Sequence, residues 1–466
     1  MNTDLNRRRF LNLGTCGLGA TAFAHLLHAE SHRQPVRPVA KRAINICLVG
    51  GLSQVDSFDY KPELATFHGK APPAETKKHF HRVGMLRKSD WEFAQHGQSG
   101  LWVSSLFPHL AKVADQLTVL RSMQGTTNLH TPALFLSNSG FPVNGFPTVG
   151  SWLSYGLGAE TNSLPSYVVI ADRRGNPSGG VSTWGHGFLP ASHQGVPLQA
   201  KGHPVRDLFP PQSVSAELTR DTDTLRLAMH RQQLARLGGV DAVLEARLRS
   251  YELAAQMQLS VPEMSDLASE PQSIRRLYGL DEQPTADFAR NCILGRRLLE
   301  RGVRFVQLFS GGPLGGMPRA SWDAHEKMIP NHSREAVRID QPVAALLTDL
   351  QQRGLLEDTL VTFTTEFGRT PFAESKPGEN STGRDHNSAG FSIWMAGAGL
   401  RPGITYGETD EIGHRAAVDK VTPNDFQATL LHLFGIDYQK LFFFHNGQQQ
   451  QLTNGRPARV VRDILS

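Results

Sequence analysis

The stretch "TLVTFTTEFGRTPFAESKPGENSTGRDHNSAGFSIWMAG", Thr359 to Gly397, decides the reading of the fold. Leu360 to Phe363 is an apolar run rich in β-branched and aromatic residues, as a buried strand would be. Glu366, Gly368 and Arg369 follow at once. A second polar group, Arg384-Asp385-His386-Asn387, comes shortly after, and "GFSIWMAGAG" then reads as another strand. A carboxylate and an imidazole at neighbouring strand ends are metal ligands, acid/base partners or two unrelated loop residues. The rest of the chain has to choose.

Working outward, "AINICLVGG" (Ala43 to Gly51) is a continuous apolar run ending in paired glycines, the pattern of a buried parallel strand entering a tight loop. Helical spacing from Leu106 to Val113 precedes a strand in "LTVLRSM". A helix is expected near Thr148 to Leu157, then strands in "SYVVIAD" and "RFVQLFSGG". "RIDQPVAALLTDLQQRG" is an amphipathic helix. "PNDFQATLLHLFG" is the last helix, with Pro423 just inside its start and Gly435 at its end. This alternation predicts a doubly wound, mostly parallel α/β sheet. From about residue 213 to 300 the period is helical throughout, which predicts a helical insertion in a single domain spanning 36–466.

The 466 residues carry 48 Lys and Arg against 43 Asp and Glu, a net charge of +5 with the basic residues scattered among acids. No basic block interleaved with aromatics appears, so nucleic acid is not an expected partner. Cys16, Cys47 and Cys292 are too few and too dispersed for a disulfide framework or a zinc knuckle. Residues 1–35 read as a signal and linker. Arg7 and Arg8 stand before Phe10 and Leu11, followed by a weakly apolar Gly/Ala-rich stretch, as in a twin-arginine export signal. That predicts export by the twin-arginine machinery to the periplasm or beyond. The apolar stretch is too short and interrupted for a membrane span, which needs about 20 apolar residues, so an integral membrane protein is not expected.

Ligands of open α/β sheets bind beyond the carboxyl ends of the strands. The polar residues there include Asp56 and Asp59 after the first strand, and His130 and Thr131 after "LTVLRSM". Asp323 and His325 follow "RFVQLFSGG", Glu366 and Arg369 follow "TLVTFTT", and Arg384, Asp385 and His386 precede "FSIWM". Asp, Glu and His recurring at several strand ends form the ligand set of a divalent metal: zinc, manganese or calcium. Each residue also has a plainer reading. Asp323 caps a helix, Asp56 and Asp59 bond backbone N–H groups in a turn, Glu366 pairs with Arg369 or Arg384, and Thr131 caps a helix start. His186 and His193 lie in a glycine-rich loop.

In order, "GGLSQVDSFDYKPEL", "LFPHLAKVADQLTVLRSM", "LHTPALFLSNSG", "SWDAHEK", "TEFGRTP", "GRDHN" and "GAGLRPGITYGETDEIG" resemble the domain of unknown function fifteen-oh-one family. That family comprises exported bacterial proteins placed among the relatives of alkaline phosphatases and sulfatases. The resemblance implies a sheet of the alkaline phosphatase/sulfatase type. It further implies metal ligands among Asp56, Asp59, Asp323, His325, Glu366, Asp385 and His386, with His130, Thr131, Arg369 and Arg384 in catalytic places. The sequence also departs from the superfamily pattern. Glu366-Phe367 stands where an Asp-His pair is usual, glycines replace the carboxylate after the first strand, and no Cys stands at the sulfatase nucleophile position, where His130 lies beside Thr131. Two functions are therefore expected. One is an exported metal-dependent hydrolase of a phosphate or sulfate ester, on a small molecule or a polysaccharide. The other is a non-catalytic binding or assembly protein on the same fold.

Overall fold

Strand β1 (Arg42–Leu48) is buried along nearly its whole length and pairs in parallel with strands on both sides, which is why its sequence is apolar apart from Arg42 at its start and Asn45. A computed structural model of the chain describes residues 36–74, 76, 82–199, 215–236, 257, 261, 263–316, 319–375 and 382–466. The twin-arginine segment lies outside the described residues. Pro38–Ser466 forms one compact unit.

The sheet uses β1, β2 (Thr118–Met123), β3 (Tyr167–Ile170), β4 (Val196–Leu198), β5 (Phe305–Ser310), β6 (Thr359–Thr365), β9 (Phe391–Gly397) and β10 (Ile404–Tyr406). A separate antiparallel hairpin is made by β7 (Gly368–Ala373) and β8 (Arg384–Asn387). The sheet order is β10-β2-β9-β6-β1-β5-β3-β4. Only β9 runs against its neighbours. The chain leaves β1 for β2 on one side and β3 on the other, so the winding reverses there, and a ligand site is expected at the carboxyl end of β1.

Alternation along β1 divides the interior into two cores. Ile44, Ile46 and Leu48 face a layer that includes α5 (Ala286–Glu300) and α6 (Met328–Gln352). Ala43, Cys47 and Val49 face the other layer, with α2 (Val149–Leu157) and α7 (Pro423–Leu433). A polar seam crosses the sheet at Asn45. Its Nδ2 donates to Gln307 Oε1 at 3.1 Å, and its Oδ1 accepts from Thr362 and Thr364 hydroxyls at 2.8 and 3.0 Å. Both amide atoms of Asn45 are thereby partnered, which avoids the cost of roughly 1–3 kcal/mol for an orphan, while Gln307 Nε2 is buried with no partner among the described residues. Helix α7 begins with Thr422 accepting from Asp425 N at 3.2 Å while Asp425 Oδ2 accepts from Thr422 N at 2.9 Å.

Several elements differ from the expectation. Leu110–Gln116 is a 3-10 segment broken at Val113 rather than an α-helix. The buried Asp340 side chain of α6 accepts from the backbone N–H groups of His109 and Leu110 at 2.7 and 2.8 Å, holding its start. The region about 213–300 is helical where described, in α3 (Ala216–Arg236), α4 (Gln272–Tyr278) and α5. A 3-10 turn at Leu267–Ser269 precedes α4, turns at 279–285 join α4 to α5, and residues 213–214, 237–256, 258–260 and 262 lie outside the described residues. Helix α5 belongs to the main sheet layer: a Cβ on Gly295 would sit 2.8 Å from Ile44 Cδ1, so the helix rests directly on β1.

Candidate metal centre

The carboxyl end of β1 turns through Val49 and Gly50 into contact with the segment after β5. Trp322 N donates to Val49 O at 2.9 Å. A Cβ at Gly50, whose φ is +119°, would lie 2.4 Å from Asp323 N, so only glycine allows this approach. On the other side, Arg384 N of β8 donates to Ala324 O at 3.1 Å. A Cβ at Gly383 would fall 1.8 Å from the His325 carbonyl oxygen. Two glycines thus let three loops close on one another. The pairing of His386 with Arg369 in the hairpin then returns β8 to the sheet edge.

Four side chains converge there. His130, the first residue of α1 (His130–Ser139), joins Asp323, His325 and His386, and the candidate ligand atoms all lie within 4.8 Å of one another. Asp323 Oδ1 is 2.9 Å from His325 Nε2, 3.1 Å from His386 Nε2 and 3.4 Å from His130 Nε2, while the Nε2 atoms of His325 and His386 are 2.9 Å apart. Tetrahedral bonds of about 2.0–2.1 Å place donor atoms about 3.3 Å from each other, so the pattern is a slightly contracted three-nitrogen, one-oxygen set.

The outer nitrogen of every ring is engaged. Nδ1 of His130 meets Glu366 Oε1 at 3.0 Å, Nδ1 of His386 meets Asn128 O at 2.7 Å, and Nδ1 of His325 meets Glu374 Oε2. An acceptor at Nδ1 fixes the proton there and turns the Nε2 lone pair inward, the orientation that metal-ligating imidazoles need. His130 Nε2 is buried with no hydrogen-bond partner among the described residues. These residues fit a divalent cation.

Electrostatics point the same way. Burial would raise the Asp323 pKa, but the three imidazoles around it and Arg369 hold it well below the ordinary carboxylate range. Burial pulls His130 and His325 down, yet Asp323 with Glu366, and Asp323 with Glu374, outweigh it and raise both. His386 is driven down to about 3, by burial first and then by Arg369. Asp385 is raised, by burial first and also by nearby Glu374. Four carboxylates (Asp323, Glu366, Glu374 and Asp385) face three guanidinium groups, Arg319, Arg369 and, 3.9 Å from Glu374, Arg82. With neutral imidazoles the site is short of one positive charge.

Glu366, expected as a ligand, stands one step behind the cluster. Its Oε1 accepts from Gly50 N at 2.7 Å as well as meeting His130, and His130 supplies the fourth ligand position in its place. Asp385 lies at the rim, with Oδ1 accepting from His386 N at 2.7 Å and standing 4.0 Å from His325 Nδ1. Asp56 and Asp59 are not brought to the cluster. Asp56 binds Arg384 in a fully buried pair at 2.8 Å, and Asp59 pairs with Lys61 at 3.2 Å and with Thr409.

Arg369 and Arg384, expected in catalytic places, are both turned inward. Arg384 donates to Asp56 and to the carbonyls of Thr370, Arg87 and Lys88. Arg369 donates to Asp323 Oδ1 at 2.7 Å and to the carbonyls of Gly50, Gly51 and Arg384. The Thr131 hydroxyl faces Ser178. His186 bonds Leu189 O at 2.5 Å and His193 bonds Ser154 at 2.9 Å. Phe367 packs its ring 4.4 Å from that of His386 and 5.0 Å from that of His130, an apolar wall beside the cluster. Sequence reasoning missed Glu374 and Arg319. Each lies outside any recognisable motif and is recruited by the hairpin and by the loop before Asp323.

The chain belongs to the family described as "Protein of unknown function (DUF1501)", which matches residues 40–465. No curated protein sequence matches significantly. Among solved structures, the chain is similar to the lipoteichoic acid synthase LtaP from Listeria monocytogenes at 9% identity and a TM-score of 0.38, covering 89% of this chain and 75% of that one. It is also similar to the PsFucS1 sulfatase from Pseudoalteromonas sp., at 13% identity and a TM-score of 0.35 over 91% and 72% of the two chains. A protein in the alkaline phosphatase superfamily from Vibrio parahaemolyticus matches at 12% identity and a TM-score of 0.34, over 86% and 68%.

Proposed function

We propose that this protein is an exported hydrolase of phosphate or sulfate esters that works with one divalent cation held by His130, Asp323, His325 and His386. The observation that carries the reading is the convergence of three oriented imidazoles and one carboxylate oxygen at the carboxyl edge of the sheet. Asp323 is kept ionised by Arg369 and the surrounding rings. Glu366, Glu374 and the Asn128 carbonyl hold the outer ring protons, so the inner lone pairs stay available. Phe367 shields one side of the rings from water. When bound, the cation would supply Lewis acidity toward the anionic oxygens of an ester. The missing second Asp-His pair and the glycines after β1 favour one metal rather than two.

One observation favours the second reading, a binding or assembly protein: the only hydroxyl expected as a nucleophile, Thr131, is turned to Ser178. Metal analysis of the purified signal-free chain, paired with release of nitrophenol from nitrophenyl phosphate and sulfate, separates the two. One equivalent of metal and chelator-sensitive turnover is expected. Metal without turnover favours the binding protein, and a chain that takes up no metal at all refutes both the centre and the hydrolase.

A further inference from the structure

The arginines nominated by sequence are locked inside the fold, and the cations that remain available gather elsewhere. A cavity of about 440 Å³ is lined by Arg319, Asp323, Glu326, Lys327, Asn331 and Arg334, among others. Asp323 belongs to both places. Its Oδ1 faces the imidazoles, while its Oδ2 takes Arg319 from the cavity side. The cavity therefore adjoins the metal centre through one carboxylate.

Three cationic side chains, Arg319, Lys327 and Arg334, line it against two carboxylates, Asp323 and Glu326, an excess of one positive charge. Arg334 donates to Glu335 at 3.0 Å and to the Arg319 carbonyl, but Glu335 is already held by both terminal nitrogens of Arg174 at 2.9 and 2.7 Å. Asp323 is likewise shared between Arg319 and Arg369. Lys327 is exposed and its ammonium has no ion-pair partner among the described residues. The amino end of α6, which follows Lys327, adds potential of the same sign.

We infer that this cavity is a subsite for a second tetrahedral oxyanion, a sulfate or phosphate carried by the same molecule whose ester meets the metal centre. The inference rests on the proposed hydrolase site and narrows its substrate class to polyanionic esters, such as saccharides bearing more than one such group. Arg319 and Arg334 present planar donors to the oxyanion. Lys327 adds a mobile charge at the mouth.

The test is binding rather than turnover. Calorimetric titration of the metal-loaded, signal-free chain compares a disulfated disaccharide with its monosulfated counterpart, and a bisphosphorylated hexose with its monophosphate. At low salt the doubly charged member should bind about fivefold tighter or better, the span of one or two solvent-facing ion pairs. Lys327→Gln should remove most of that preference and Lys327→Arg should keep it. Whether the sulfated or the phosphorylated pair shows the larger gap identifies the anion. Equal binding of both members, no binding of either, or a preference unchanged in Lys327→Gln overturns the subsite. A preserved preference in a chain that hydrolyses neither ester removes the hydrolase and leaves the subsite, whereas turnover without preference does the reverse.

Discussion

Asp56 offers the sharpest separation of a structural carboxylate from a ligand. It lies in the loop just past β1, where a metal-binding carboxylate was expected, yet its side chain and that of Arg384 are both 0% exposed and paired through Nε–Oδ2 at 2.8 Å and Nη2–Oδ1 at 3.3 Å. Ser53 Oγ adds a donor at 2.5 Å. Burial would raise the Asp56 pKa, but Arg384 and Ser53 outweigh it and the net shift is downward. Asp56→Asn keeps the shape and removes the charge, leaving Arg384 buried against carbonyls alone. Losing one partner of such a pair costs about 3–5 kcal/mol. In a chain of this size a kcal/mol moves the thermal midpoint by about 1–2 °C, extrapolating the size trend, so the expected drop is on the order of 5 °C. Because the folded pKa is depressed, the stabilisation is complete above the unfolded value near 3.9 and fades as pH falls through the folded one; wild type and Asp56→Asn should converge only below about pH 4. The double variant Asp56→Leu, Arg384→Met should lose less than the two single losses together. Thermal unfolding by circular dichroism is read beside metal content. An Asp56→Asn protein that melts like wild type but no longer holds metal would refute the structural assignment and restore Asp56 as a ligand.

Further outcomes follow from the same geometry. His386→Ala removes a donor and should abolish tight metal uptake. Glu366→Gln acts through the His130 ring and the Gly50 N–H rather than on the metal directly, and should weaken affinity about 10–100-fold while equilibrium dialysis still finds one metal per chain at saturation; loss of stoichiometry in Glu366→Gln would instead make it a ligand. Gly383→Ala forces a Cβ into the His325 carbonyl and should disturb metal uptake well before it unfolds the sheet, a pattern that intact affinity in that variant would contradict. Replacing Arg7 and Arg8 together with Lys should leave precursor in the cytoplasm, and fractionation finding it outside would exclude the twin-arginine route.

What the sequence disclosed depended on whether a signal was local. The strands were legible because burial on both faces selects apolar and β-branched residues, as in Arg42–Leu48 and the threonine-rich Thr359–Thr365. Helix α7 was legible from Pro423 and Gly435. Strand direction was not, because "FSIWMAG" is equally apolar whichever way it runs. The β7–β8 hairpin was read as loop, since Arg369, Arg384 and His386 look solvated until their partners are known. Asp323, His325 and His386 could be nominated from their place after or before strands. Their convergence on one cation could also be expected, because neighbouring strand ends lie close together; that His130 rather than Glu366 completes the set could not, because the packing depends on Gly50 and Gly383 allowing backbones to approach where a single methyl group would clash.

The exchange of roles between Glu366 and His130 shows the limit most clearly. Both stand at strand-proximal positions, and either type of side chain can bind a metal. What separates them is position: the donor atoms lying within 4.8 Å of one another include one from His130 and none from Glu366, whose Oε1 is held by the Gly50 N–H from the loop after β1. That leaves the carboxylate facing the back of the His130 ring, and the ring's other nitrogen, buried and unpaired, faces Asp323. A carboxylate held this way directs an imidazole rather than replacing it. The same logic explains Arg369 and Arg384: side chains with five donors each, placed among loop carbonyls at the edge of a sheet, satisfy the turns that bring the ligands together. Two arginines expected in catalytic places are, in the folded chain, the frame that holds the ligand-bearing loops in place.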